Sequence, residues 1–487
     1  MILNKRAVLY KYISKMFDKF SRDNALKKTI GSYSYTLLIV ILLSCGSSKK
    51  SLTVDDSLYE DETTSLTHDL KEEGELIGEE AVKENNLIYE NTIYKASVHS
   101  AQLHPLRFEM GNPLIHLNFK DSLLLSFDDF SSDVQNYAYT LIHCNSDWTP
   151  SDLMESEYLE GFYEEPILDY QFSFNTIQAY IHYQATIPTE NLKPTLSGNY
   201  LLIVFAENDR ENPILSKRMM VMDEKVSVKG TVKRATDLEQ RNYQHEIDFS
   251  ILHSGYTIDN PFGDIKPVLT QNDRWDNAIT ALQAVFVKDD EIVYDHEEDN
   301  LFDGGNEYRF FDIQSLRYLS ERLADITFEN DTHKVILRVD ESRRFQRYSG
   351  LVQDINGKRL IRVQEGTRDN IEADYAQVHF TLPFDHEVTH GDIYVFGQIS
   401  DYGFPESHRM LYNSEKKRYE ASILLKQGYY NYEYVLKKYE GGAINRFIEG
   451  THYQTVNDYH IYIYHRPTGE FYDQLIGIQK LTSKDLL

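Results

Sequence analysis

His245-Glu246-Ile247-Asp248-Phe249-Ser250-Ile251 alternates polar and apolar residues from Glu246 onward. Successive side chains of a strand point to opposite faces. The stretch therefore reads as a β-strand that buries Ile247, Phe249 and Ile251 on one side. The same texture extends in both directions. Tyr94-Lys95-Ala96-Ser97-Val98 and Ile115-His116-Leu117-Asn118-Phe119 also alternate, while 123–127 and 201–205 are continuous apolar runs of the kind found in strands buried on both faces. Downstream, 377–382, 393–396, 419–424, 430–436 and 461–464 have strand composition at a spacing that suits a small sandwich. Asn356-Gly357, between Leu351-Val352 and Leu360-Ile361-Arg362-Val363, predicts a type I′ hairpin. One helix is predicted, around 313–324, from Ile313, Leu316, Leu319 and Leu323 at helical spacing. The fold class that follows is mainly β: three immunoglobulin-like or β-sandwich domains in series, at 91–224, 225–370 and 371–487.

What precedes the strands is of another kind. Basic residues are followed by a short apolar stretch and then by Leu42-Leu43-Ser44-Cys45-Gly46. A positive region, a short apolar core and a small residue before the cut make a secretory signal, placed here at 1–44. A cysteine directly after the cut reads as a lipobox, so Cys45 is the predicted lipidation site. The apolar stretch is far short of the roughly 20 helical residues that span a bilayer. Residues 45–90 are rich in Ser, Thr, Asp and Glu, with few aromatics and no periodicity, and read as a disordered acidic tether.

Charge narrows the partners. The 487 residues carry 50 Lys and Arg against 77 Asp and Glu, a net −27; the leader holds eight of those bases and two of those acids, which leaves −33 from Cys45 onward. Such a surface repels phosphate backbones, so nucleic acid is not an expected partner. Only two cysteines occur, and with Cys45 lipidated Cys144 has no partner for an intrachain disulfide. No GxSxG, HExxH, Walker or GxGxxG motif is present, nor any Cys/His metal spacing. The sequence thus points to no catalytic residue, no metal, no cofactor and no small-molecule substrate.

Three clusters stand out. His143-Cys144-Asn145-Ser146-Asp147-Trp148 has cysteine-protease composition, but neighbours on a strand face opposite ways, so His143 and Cys144 cannot form a dyad. Its structural reading has Asp147 and Thr149 shaping a turn while Trp148 covers a core edge. Arg338, Arg343, Arg344 and Arg347 form a basic island, read either as internal salt bridges or as a contact surface for acidic loops or lipid headgroups. Tyr430, Tyr432 and Tyr434 share one strand face, and Tyr462 with Tyr464 another. Such stripes suit half-buried sheets with wet hydroxyls, and also sugar stacking or protein interfaces.

Together these residues resemble a known family. His143 to Trp148, Glu157-Tyr158-Leu159-Glu160-Gly161-Phe162, Ser197-Gly198-Asn199-Tyr200-Leu201-Leu202, Gln271-Asn272-Asp273-Arg274-Trp275-Asp276-Asn277 and the Arg343-Arg344-Phe345 neighbourhood are similar to the plug protein of the type IX secretion system. The resemblance runs from about Asn91 to the C-terminus. It implies a non-enzymatic protein on the periplasmic face of the outer membrane that seals the translocon β-barrel when no cargo passes. A barrel of about 36 strands leaves a wide lumen. About 400 folded residues give a radius of gyration near 21 Å, a plausible stopper. A second likeness covers the last domain alone. Tyr394-Val395-Phe396-Gly397, Tyr419-Glu420-Ala421-Ser422-Ile423 and Gly428-Tyr429-Tyr430-Asn431-Tyr432-Glu433-Tyr434-Val435 resemble glycogen-binding-type immunoglobulin-like modules. The sugar-stacking tryptophans of those modules are replaced by Lys437-Lys438-Tyr439, which counts against sugar binding. A surface glycan-binding lipoprotein is the alternative function, and a hydrolase with an unrecognised site ranks last. Gly46-Ser47-Ser48-Lys49-Lys50, with no acid directly after the cysteine, favours the periplasmic leaflet.

Overall fold

The 245–251 alternation folds as a strand with one buried face. The Gln244–Leu252 strand buries Ile247, Phe249 and Ile251 against a facing sheet that supplies Leu269, Tyr459, Ile461 and Ile463. The protein was studied as a computed structural model, which describes residues 87–118, 121–207, 209–350 and 354–486. The leader, Cys45 and nearly all of the predicted tether lie outside the described residues.

The chain is mainly β, built as three sandwiches of largely antiparallel sheets. The first pairs a sheet of Pro213–Met222, Gly198–Ala206, Tyr137–Cys144 and Glu165–Ile167 with a sheet ordered Val98–Pro105, Leu123–Asp129, Ile181–Ile187, Asp169–Phe172. The second faces Ser227–Arg234, Gln244–Leu252 and Glu291–Tyr294 with a sheet ordered Arg274–Ile279, Ile265–Gln271, Asp458–His465, Gln474–Thr482. In the third, the long Gly428–Lys438 strand pairs with Arg309–Asp312, Arg359–Ile361 and Gly391–Phe396. Its facing sheet runs Leu323–Glu329, Thr332–Leu337, Tyr375–Pro383, Arg418–Lys426, Leu411–Asn413. The chain visits the second sandwich twice. It leaves after Leu301–Asp303 to build the third and returns at Asp458–His465.

That return explains the continuous apolar run at 201–205. Leu202 and Val204 enter the core of the first sandwich. Leu201, Ile203 and Phe205 meet Val268, Tyr462, Tyr464 and Leu475 of the returning sheet in a separate core. Both faces are covered, so alternation is not needed. The same sheet explains one tyrosine stripe: Ile461 and Ile463 face one core while Tyr462 and Tyr464 face the other.

One expectation is corrected. No helix forms at 313–324. Asp312 and Ser315 turn the backbone there through bonds from Gln314 N (2.9 Å) and Arg317 N (3.2 Å), and Leu323 begins a strand. Short polar side chains that bond nearby N–H groups compete with helix, and Leu319 is left exposed. The Asn356-Gly357 turn does form, with φ of 52° and 77°, but the Arg359–Ile361 strand it feeds pairs with Gly428–Lys438; residues 351–353 lie outside the described residues. Among the described residues the α-helices are single turns, and no helix is long and apolar enough to cross a membrane.

Candidate functional site

The His143 to Trp148 block sits where the first sandwich meets the second. Asp147 Oδ1 accepts bonds from Thr149 N (3.0 Å) and Thr149 Oγ1 (2.6 Å), and Trp148 N donates to Asn145 O (3.0 Å). This tight turn forces Trp148 to a φ of 68°. The indole is buried, edge-on to Trp275 with ring centres 5.0 Å apart, and the Arg218 guanidinium lies 4.5 Å over it. The expected turn with Trp148 over a core edge is thus present. His143 and Cys144 do face opposite ways. The imidazole packs among Tyr158, Tyr200 and Tyr472, and the thiol lies in the core that holds Trp148. Gly198 makes room for that ring, since a Cβ there would fall 2.5 Å from His143 Nε2.

Burial pulls the His143 imidazole down to about 4 and pushes the Cys144 thiol up to about 12. Neither group is tuned for nucleophilic chemistry near neutral pH. A histidine held below its usual value favours the fold above about pH 6.5, and that benefit is lost as pH falls toward 4. At pH 5 the cost is about 2 kcal/mol. The stability gap between wild type and His143→Gln should therefore narrow by about 2 kcal/mol between pH 7.5 and pH 5. Urea midpoints at the two pH values measure it; a constant gap would show that the ring titrates normally.

The block is also a latch. Ser146 donates from N (3.0 Å) and Oγ (2.7 Å) to Asp473 Oδ2, while Lys266 Nζ (2.8 Å) and Arg466 Nε (2.7 Å) hold Oδ1. Tyr464 donates to Asn199 Oδ1 at 2.7 Å. The third sandwich is braced against the others in the same way. Lys426 Nζ lies 2.6 Å from Asp128 Oδ2, which also accepts from the Tyr375 hydroxyl (2.6 Å), and His182 Nδ1 lies 2.7 Å from Oδ1. Burial opposes ionisation of Asp128, but Lys426 and His182 outweigh it and hold the carboxyl below the usual range. Lys217–Asp401 (2.9 Å), Arg274–Glu433 (2.7 Å) and Lys358–Asp273 (2.7 Å) complete the bracing. Sequence reasoning did not single out these carboxylates.

The arginine island divides. Arg343 is internal: its Nη2 lies 2.7 Å from Glu449 Oε2, and Glu449 is also gripped by Arg309 through Nε and Nη2, both at 3.0 Å. Burial alone would raise the Glu449 carboxyl, but the two guanidinium groups hold it at about 2. Arg338, Arg344 and Arg347 are exposed. Arg344 stacks over Phe345 and Phe447 at 5.1 and 5.3 Å, and the Phe345 side chain is 89% exposed. A cavity of about 270 Å³ beside the island is lined by Arg309, Arg322, Arg343 and Arg347, with Glu307 and Glu321 among them.

The tyrosine stripes are packing, with hydroxyls paired rather than wet. Tyr432 and Tyr434 donate to Asp340 Oδ2 at 2.5 and 2.9 Å, and Tyr430 to Lys426 O at 2.5 Å. A cavity of about 540 Å³ at the junction is lined by Trp148, Trp275, Tyr402 and Phe404. Its aromatic faces are taken: Arg218 covers Trp148, Trp275 stacks on Tyr462, and Lys437 covers Phe404. The acidic triad Glu246, Asp248 and Asp295 has its cation position filled by Lys233 Nζ, 2.9, 2.5 and 3.7 Å from the three carboxylates.

Residues 98–223, the first sandwich with its latch, match the family model described as type 9 secretion system plug protein 1st domain. A crystal structure of a hypothetical protein from Parabacteroides merdae is similar at a TM-score of 0.79 and 32% identity, over 81% of this chain and 100% of that one. No curated protein matches the chain.

Proposed function

We propose that this chain, which belongs to the type 9 secretion system plug protein family, is held on the periplasmic face of the outer membrane by lipid on Cys45 and seals the translocon barrel when no cargo passes. The match of residues 98–223 to the plug domain carries the reading. The buried ionic bracing supports it. A stopper must resist pressure without hinging, and charge pairs at the contacts between the three sandwiches oppose their sliding. Exposed Arg344, Phe345 and Arg347 are the candidates for one contact with the channel rim, where charges tune association more than final affinity. The glycan-binding alternative rests on the resemblance of the third sandwich alone. The covered ring faces at the junction give it no platform.

Cells lacking the protein but retaining the translocon should admit large antibiotics that normally stay outside. A Cys45→Ala strain should leak less than the deletion. The lipid raises local concentration at the channel but makes none of the sealing contacts, and the soluble form still reaches the mouth. The mature wild-type chain should carry acyl mass on Cys45. Unchanged permeability in the deletion strain, with the translocon confirmed present and not closed by another subunit, would overturn the sealing reading.

A further inference from the structure

One edge of the first sandwich is unlike the others. The Asp169–Phe172 strand ends its sheet, bonded on one side to Ile181–Ile187. Ser173 N donates to Tyr180 O at 2.9 Å. Counting back along the register, Gln171 and Asp169 spend their backbone groups on the same neighbour. Tyr170 and Phe172 then aim their N–H and C=O outward, where no strand among the described residues receives them.

Proteins blunt such edges with lysine, proline or bulges. The Ser227–Arg234 edge of the second sandwich carries Lys229, Lys233 and Arg234. Between Ile167 and Ile177 there is no lysine, arginine or proline. Instead the edge is apolar and open as far as Phe172: Leu168 is 79% exposed and Phe172 59%, with Tyr170 and Phe162 also exposed, and only beyond it is the outward N–H of Phe174 taken, by Ile371 O at 2.8 Å. An apolar rim on an unprotected edge marks a place where another chain adds a strand.

The charge around it says which chain. Residues 121–192 contain thirteen Asp and Glu and no Lys or Arg. Bases from elsewhere reach two of those acids near this side, Arg210 on Glu155 and Lys193 on Glu160, and Arg368 stacks on Phe174. Among the described residues Glu164 and Asp169 have no cation within salt-bridge distance. We propose that the Asp169–Phe172 edge docks an extended segment of a partner protein in which apolar and basic side chains alternate. The apolar side chains would lie on Tyr170 and Phe172, and the basic ones would meet the acidic rim.

The proposal adds to the sealing reading and does not depend on it. Purified full-length protein is titrated with a fluorescent peptide of about nine residues alternating valine and lysine. A peptide alternating valine and glutamate is the control. The lysine peptide should bind roughly tenfold or more tightly than the glutamate peptide. Phe172→Pro removes an outward N–H without touching the bonds to Ile181–Ile187, and should weaken binding roughly tenfold. Phe172→Lys, at an exposed position that leaves the backbone intact, should weaken it similarly and covers a failure of the proline variant to fold. Equal binding of the two peptides, no binding of either, or binding of the lysine peptide unaffected by Phe172→Lys would overturn the proposal. So would a wild-type dimer that disperses in Phe172→Lys, which would assign the edge to a second copy. The assay contains no translocon, so its failure would leave the sealing reading standing.

Discussion

Replacing Lys426 with methionine should destabilise the protein by about 3–5 kcal/mol, because it strands a buried carboxylate. Asp128 and Lys426 are both buried, and the ammonium also donates to Asn370 O at 2.7 Å and sits 4.2 Å over the Tyr180 ring. Methionine keeps the volume and the ring contact but removes the charge. The Tyr375 hydroxyl and His182 remain on Asp128, but the Lys426 ammonium 2.6 Å from Oδ2 is gone. The stranded carboxyl should then take up a proton more readily. The loss will be greatest at high pH and will shrink as the pH falls through its raised value. Asp128→Asn combined with Lys426→Met should recover much of the loss, since an unpaired charge costs more than an absent pair. Urea unfolding of the single and double variants decides it. A single variant as stable as wild type would mean that the first and third sandwiches are not held together through this pair.

That pair marks the limit of what the sequence discloses. Strand identity was legible because burial is periodic. The 245–251 alternation and the unbroken run at 201–205 each declared how many faces are covered, and the structure supplies the two cores that cover the latter. The Trp148 turn was legible because Asp and Thr two residues apart bond locally. Partner choice was not. A strand does not encode which sheet it joins, so nothing at 458–482 announced a return to the sheet of 265–271. Asp128 and Lys426 lie 298 residues apart and carry no periodic signal that links them. The helix expected at 313–324 failed for the converse reason. Four apolar residues had the right spacing, but Asp312 and Ser315 offered the backbone nearer partners. Composition alone makes the tyrosine stripes half-wet, because a tyrosine hydroxyl usually finds water. Here Asp340 and Asn199, each buried or nearly so, receive them.

The basic island calls for a variant that separates structure from contact, and the four arginines are not equivalent for that purpose. Arg343→Glu should cost about 3–5 kcal/mol, because it sets a carboxylate beside buried Glu449 and leaves Arg309 to balance both. Arg343 N also bonds Ile448 O at 2.8 Å, and Gly450 packs against the carbonyls of Arg343 and Arg344, so the disturbance spreads along both segments. Arg344→Glu and Arg347→Glu lie on the exposed side and should change stability by no more than about 0.5 kcal/mol each. A leak in an Arg343→Glu strain would therefore report loss of the folded plug. A leak in a strain carrying Arg344→Glu and Arg347→Glu, with the protein present at wild-type level and melting as wild type does, would report a lost contact at the channel. If Arg343→Glu left the unfolding midpoint unchanged, the Glu449 cluster would not be what holds the 342–344 segment against the third sandwich.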